Sequence, residues 1–198
     1  MGNFLFNLFD KYLMCFYNDN MQYNGVKFEA IVATPGCGKS FLCDKYPELF
    51  VDVDEERLKS KYIVPEDISR SELERTKGDR DFPRKLKHDE YIEELYQKLD
   101  RFVEQGKTLI AAPHPEAIDY FVLNNIKFCF VFPKETMKEE ISRRMKVRGN
   151  LEKFITENEN MFEEFLIQNR KENKSVIHYE FGQGEFLQDI IKKFGYKF

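Results

Sequence analysis

The sequence predicts an α/β protein, a three-layer fold in which a five-stranded parallel sheet carries helices on both faces. Two observations point there. Short, continuously apolar runs alternate with longer segments whose apolar residues recur at helical spacing, the pattern of parallel βαβ units rather than of a sandwich. A glycine-rich turn, Gly36-Cys37-Gly38, joins the first such run to a helical start, and open α/β sheets gather their ligands beyond the carboxyl ends of their strands.

The elements follow in order. Residues 1–25 read as an N-terminal amphipathic extension, with Phe4 to Phe16 as a short helix docked on the body and Asn18 to Gly25 as a turn. Residues 26–198 form one domain, whose strand candidates are Phe28–Thr34, Leu49–Val53, Lys107–Ala112, Lys127–Phe132 and Ser175–Tyr179. Helical spacing links Tyr91, Ile92, Leu95, Leu99, Phe102 and Val103, then Met137, Ile141 and Met145, then Phe154, Met161, Phe162, Phe165 and Leu166. These stripes are read as core faces. Phe186 to Phe194 closes the chain as a last helix. Residues 55–87, opening at Asp54, break the alternation: the stretch is polar, carries Pro65 and Pro83, and exceeds a plain connection in a compact α/β unit.

Composition excludes several classes. A chain of 198 residues with 42% hydrophobic and 33% charged residues is too apolar for disorder and too charged for a polytopic membrane protein. Thirty-one Lys+Arg against 35 Asp+Glu give a net charge of −4, so the basic excess of many duplex-binding proteins is missing and no duplex partner is expected. Cys15, Cys37, Cys43 and Cys129 form no Cys-x-x-Cys pair, which indicates reduced thiols and a cytoplasmic protein. No run reaches membrane-helix length, and Phe6 stands where a myristoylation signal needs Ser or Thr. No membrane contact is expected.

Ala33-Thr-Pro-Gly-Cys-Gly-Lys-Ser40, between an apolar run and a helix opening at Phe41, has the setting of a phosphate-binding P-loop. Gly36 and Gly38 let the backbone curl so that successive N–H groups face one anion. The stretch Thr34, Pro35, Gly36, Cys37, Gly38, Lys39, Ser40 and Phe41 is therefore assigned to a nucleotide. Lys39 reaches for the β- and γ-phosphates and the Ser40 hydroxyl for Mg²⁺. Ala33 stands where the motif has its first Gly.

Leu49-Phe-Val-Asp-Val-Asp-Glu55 follows the loop too closely for the large motor ATPases. It resembles the second strand of small P-loop kinases of the shikimate and gluconate kinase type, and Asp52 and Asp54 match their Asp-x-Asp. That resemblance implies metal and substrate roles, with Asp52 on a magnesium-bound water and Asp54 on the acceptor. Two acids one residue apart on a strand point the same way; the alternative is a solvated strand end with Asp54 capping the next helix. Ile141-Ser-Arg-Arg-Met-Lys-Val-Arg148-Gly-Asn150 resembles the arginine-bearing lid entry of nucleoside monophosphate kinases, implying a short lid over residues 143–151. Arg144 and Arg148 share a helix face at i, i+4 and would close over the phosphates, with Arg143 beside them and Gly149 as a hinge; a solvated basic helix end is the other reading.

Residues 55–87 occupy the place of the acceptor segment in those kinases. Arg70, Arg75, Arg80, Arg84 and Lys87 offer cations there, Arg84 being the best single candidate. His114, after the third strand, either touches the acceptor or caps a helix, while His88 and His178 read as structural. The Phe82-Pro83 turn, the strand-end His and the Arg-Gly-Asn lid also resemble a group of small P-loop kinase-like proteins of phages and low-GC bacteria, over residues 28–195.

The function expected is an ATP- and Mg²⁺-dependent phosphotransferase acting on a small phosphorylated acceptor, foremost a nucleoside or deoxynucleoside monophosphate. Lys39, Asp52, Arg144 and Arg148 would carry the catalysis, Ser40 and Asp52 the metal, and Asp54, Arg84 and His114 the acceptor. A polynucleotide 5′-kinase, another metabolite kinase, and a catalytically silent nucleotide sensor remain alternatives. No Asn-Lys-x-Asp element supports a GTPase.

Overall fold

The computed structural model describes residues 28–63, 85–86, 91–172 and 178–198. Its five-stranded sheet has the order β2-β5-β1-β6-β7, with β1 (Ala30–Ala33), β2 (Phe50–Asp52), β5 (Thr108–Ala111), β6 (Phe128–Pro133) and β7 (His178–Phe181) all parallel. The β3 strand (Tyr62–Ile63) and β4 (Lys85–Leu86) pair antiparallel in a separate ribbon. Seven helices complete the described chain: α1 (Lys39–Lys45), α2 (Val53–Lys61), α3 (Tyr91–Glu104), α4 (Pro115–Leu123), α5 (Lys138–Val147), α6 (Glu152–Glu172) and α7 (Leu187–Lys193).

Side chains of a strand alternate between its faces, and the sheet accordingly builds two cores. Ile31, Ala33, Ile110, Cys129 and Val131 meet Leu42 of α1, Ile141 and Met145 of α5, and Ile190 and Ile191 of α7. Ala30, Val32, Leu109, Ala111, Phe128, Phe130 and Phe132 meet Leu95 and Leu99 of α3 and Ile118 and Phe121 of α4. All six residues of β6 are buried, which explains its unbroken apolar run: a central parallel strand is covered on both sides. Phe130 and Phe132 stack at 5.4 Å with 12° between their rings.

Strand order reverses around β1, which has β5 on one side and β6 on the other. Such a switch point leaves a crevice at the carboxyl ends, and the glycine-rich turn leaves β1 there.

Two boundaries differ from expectation. The last strand runs to Phe181, two residues beyond the end read from sequence, because its register with β6 pairs Pro133 with Phe181 and buries the Phe181 side chain fully; residues 175–177 of that run lie outside the described residues. The second strand ends at Asp52, so Asp54 lies in the first turn of α2 and not on the strand. The polar stretch thus opens with a helix. The N-terminal extension, residues 64–84, Lys87 and His88 lie outside the described residues, and with them Arg70, Arg75, Arg80 and Arg84.

Leu99 is fully buried and Leu123 is 70% exposed, although both are leucines on helices of the same sheet face. Leu99→Ala is expected to cost about 2–5 kcal/mol, and Leu123→Ala no more than about 0.5 kcal/mol. Urea unfolding of the two variants measures both; equal losses would contradict this core.

Candidate active site

The loop after β1 takes its shape from glycine. Gly36 and Gly38 have φ of 80° and 100°, values that residues with a Cβ rarely adopt. A Cβ on Gly36 would stand 3.1 Å from Ile141 Cγ2, so the loop is also packed too closely to enlarge. The Leu187 N–H donates to the Cys37 carbonyl at 2.9 Å, fastening the loop to α7. Cys37 itself is fully buried and does not line the cleft, and burial holds its thiol protonated by raising its pKa. Lys39 is 9% exposed. Its ammonium donates to the Ala33 carbonyl at 2.8 Å and the Thr34 carbonyl at 3.3 Å.

Asp52 serves two neighbours. Its Oδ1 accepts the N–H groups of Asp54 at 3.0 Å and Glu55 at 3.3 Å, which makes Asp52, rather than Asp54, the side-chain cap of α2. Its Oδ2 accepts the Ser40 hydroxyl at 3.5 Å. Asp54 is 6% exposed. Its Oδ1 accepts the Ala112 N–H at 2.9 Å, and its Oδ2 lies 3.9 Å from Lys39 Nζ. One carboxylate therefore ties α2 to the end of β5 and to the loop lysine.

His114 precedes α4 and takes the helix's first backbone bond on its carbonyl, from Ile118 N–H at 3.1 Å; its side chain makes no capping bond. The ring lines the cleft, its Nε2 lying 3.8 Å from Asp54 Oδ1. Burial pushes its pKa below the ordinary value, outweighing the opposing pull of Asp54. Next to it, Glu116 Oε1 accepts the Tyr91 hydroxyl at 2.8 Å and stands 3.4 Å from Arg57 Nη1. Burial and the Glu116 hydrogen bond push Tyr91 up to about 12. Arg57 Nε is buried with no hydrogen-bond partner among the described residues.

Lys39, Asp54, Arg57 and His114 share one cleft of about 370 Å³, whose lining does not include Asp52, Tyr91 or Glu116, and whose size is within the range of small-molecule sites. Pro35, Gly36, Gly38, Lys39 and Ser40 border it from the loop, and Asp54, Arg57, Leu58, Ala112, Pro113 and His114 from α2 and the end of β5. Met145, Arg148, Asn150, Phe154, Glu157, Asn158 and Met161 border it from α5, the turn and α6.

The two lid arginines go different ways. Arg148, at the C-cap of α5, donates from Nη2 to the Ser40 hydroxyl at 3.1 Å. Arg144 lies outside the cleft: it donates to Glu140 Oε1 at 2.9 Å and to the Glu185 carbonyl at 3.3 Å, and its guanidinium sits 4.1 Å from the centre of the Phe186 ring. Arg143 is exposed and bonded to Glu140, which the two arginines hold down at about 2. Of residues 143–151, those to Val147 are the end of α5 and only 148–151 form a tight turn into α6, with Gly149 at a φ of 83°. Phe41 is 57% exposed, beside Lys45 and outside the cleft.

From sequence, Arg57 and Glu116 carry no site role and Tyr91 belongs to a core stripe, whereas its hydroxyl donates to Glu116. Asp54 and Arg57 are three residues apart and share a helix face, a signal that becomes visible only once the helix is placed at Val53. Phe154 and Met161 were read as core; both also border the cleft.

The Ser40 hydroxyl and the Asp52 carboxylate are hard oxygen donors of the kind Mg²⁺ takes, the ion keeping water and substrate phosphate for the rest of its shell. Among the described residues no group of three or more side chains forms a metal cage, and no helix is long and apolar enough to cross a membrane.

No protein-family model and no curated protein matches the chain. Among solved structures it is similar to a gluconokinase from Sinorhizobium meliloti 1021, with 14% identity, a TM-score of 0.43, and coverage of 83% of this chain and 87% of that one.

Proposed function

We propose that this chain is an ATP- and Mg²⁺-dependent phosphotransferase whose acceptor is a nucleoside or deoxynucleoside monophosphate. The observation that carries the reading is the shared cleft. In it the loop lysine stands 3.9 Å from Asp54, and the same cleft is lined by Arg57, a second cation, paired with Glu116 at 3.4 Å, whose Nε has no hydrogen-bond partner among the described residues. One cation belongs to the donor phosphates and the other suits an anion on the acceptor, Asp54 facing the first and Glu116 the second.

Phosphoryl transfer asks a protein mainly for positioning and charge stabilisation. Lys39 exchanges its loop carbonyls for the β- and γ-phosphate oxygens. Arg148, already against Ser40, neutralises charge on the group in flight. Ser40 and Asp52 would hold Mg²⁺, which would supply positive charge against the phosphates. A monophosphate acceptor is largely ionised at neutral pH, so it needs orientation more than a base, and Asp54 is committed to orientation by its bond to Ala112. Neutral His114 adds a polar ring without adding charge.

The test is one panel: ATP and Mg²⁺ with every ribo- and deoxynucleoside monophosphate, shikimate, gluconate and a 5′-hydroxyl oligonucleotide. Transfer to a monophosphate is expected; transfer only to one of the others would replace the acceptor, and ATP binding without transfer would leave a nucleotide sensor. Lys39→Ala should lower transfer by at least about 10²-fold with an unchanged far-ultraviolet circular dichroism spectrum; near-normal turnover would remove Lys39 from the site.

His114 also makes stability depend on pH. Its unfolded pKa is near 6.5 and its folded value is lower, so between the two the unfolded chain binds more protons and stability rises with pH. The contribution is complete above pH 6.5 and is lost as pH falls through the folded value. His114→Gln should flatten this limb of the stability curve in urea unfolding across pH 4.5–7.5, while an unchanged slope would show that the ring is not held neutral.

A further inference from the structure

The α6 helix carries a face along Phe154, Glu157, Asn158 and Met161, at i, i+3, i+4 and i+7, and all four side chains border the cleft that holds Lys39 and Arg57. Asn158 donates from Nδ2 to the Phe154 carbonyl at 2.7 Å. A carbonyl only accepts, so the amide is oriented with its NH₂ toward the backbone. Its Oδ1 is left as an acceptor. Glu157, its neighbour on the same face, is likewise an acceptor when ionised, and Lys153 stands 3.9 Å away with both side chains 59% exposed. The phosphate-binding cations of the cleft, Lys39, Arg57 and Arg148, come from the loop, α2 and the turn. This stretch of α6 presents a flat ring, a thioether and acceptor oxygens, a surface suited to a heterocycle rather than to a phosphate.

We propose that this face of α6 reads the acceptor's base, and that the base carries an exocyclic amino group: cytosine, adenine or guanine in preference to uracil or thymine. The inference rests on the monophosphate reading above and names the substrate within it. Phe154 and Met161 supply flat apolar contact, while Asn158 Oδ1 accepts from the amino group. A keto oxygen in the same place would bring its lone pairs against Asn158 Oδ1 in place of a donor, and sites built around one hydrogen bond discriminate strongly against the analogue that cannot make it.

The test is calorimetric titration of protein loaded with Mg²⁺ and β,γ-methylene-ATP, using pairs that differ at the amino group: CMP against UMP and AMP against IMP. At least one amino-bearing member is expected to bind about tenfold tighter than its keto partner. Asn158→Ala, tolerated in a helix, should bring that ratio to within about threefold and leave the keto partner's affinity nearly unchanged. A merely structural role for Asn158 would weaken both members alike, and that result would overturn the proposal, as would equal affinity for the members of both pairs in the unaltered protein. If no monophosphate binds, the acceptor assignment falls along with this one. Selective binding without phosphoryl transfer would sustain the base preference and refute the catalytic reading alone.

Discussion

The Lys39 ammonium is held by the carbonyls of Ala33 and Thr34 and stands 3.9 Å from the Asp54 carboxylate. Through those contacts the end of β1, the glycine loop and α2 are bound into one unit, and the Ala112 N–H on Asp54 adds the end of β5. A lysine with so little exposure is retained only where its charge is met. Here it is met by oxygens of the loop itself and by one acid of the neighbouring helix, so the positive charge a phosphate would seek is preformed and fixed in position before any ligand arrives. Preorganised charge of this kind needs little rearrangement during a reaction.

The architecture explains why those groups converge. Alternating side chains on β1, β5 and β6 fill two separate cores, leaving the sheet's edge at the carboxyl ends free of packing duty. Helices α2 and α4 start at that edge, from Asp52 and His114, and α1 starts at Gly38. Their first turns deliver Lys39, Ser40, Asp54 and Arg57 to one crevice. From the far side of the sheet, α5 and the turn into α6 bring Arg148 and the Phe154–Met161 face.

What the sequence made legible was local. The loop could be read because its glycines, lysine and serine are contiguous and their conformations are dictated by residue type. The alternation of β and α could be read because fully buried parallel strands are apolar without interruption. Arg57 escaped notice because its place depends on where α2 begins, and the cap that sets this, Asp52, was taken for a metal and substrate residue alone. Arg144 and Arg148 have the spacing of one helix face, but α5 ends at Val147 with Arg148 as its C-cap, and Glu140 with Phe186 holds Arg144 away from the cleft; neither contact leaves a trace in the spacing. Phe154 and Met161 look like core from periodicity because a cleft wall and a core face demand the same apolar stripe. Phe181 was passed over because the strand before it is an edge strand whose register is set by β6.

A donor and an acceptor meeting in one cleft is the central claim, and a bisubstrate ligand tests it most directly: adenosine and a second nucleoside joined through a chain of five phosphates, titrated calorimetrically in the presence of Mg²⁺. With Lys39 and Arg57 serving adjacent anions, the joined ligand should bind at least about tenfold tighter than ATP, because the second half binds intramolecularly. Affinity equal to that of ATP would mean that the cleft holds only one nucleotide and would contradict the shared site.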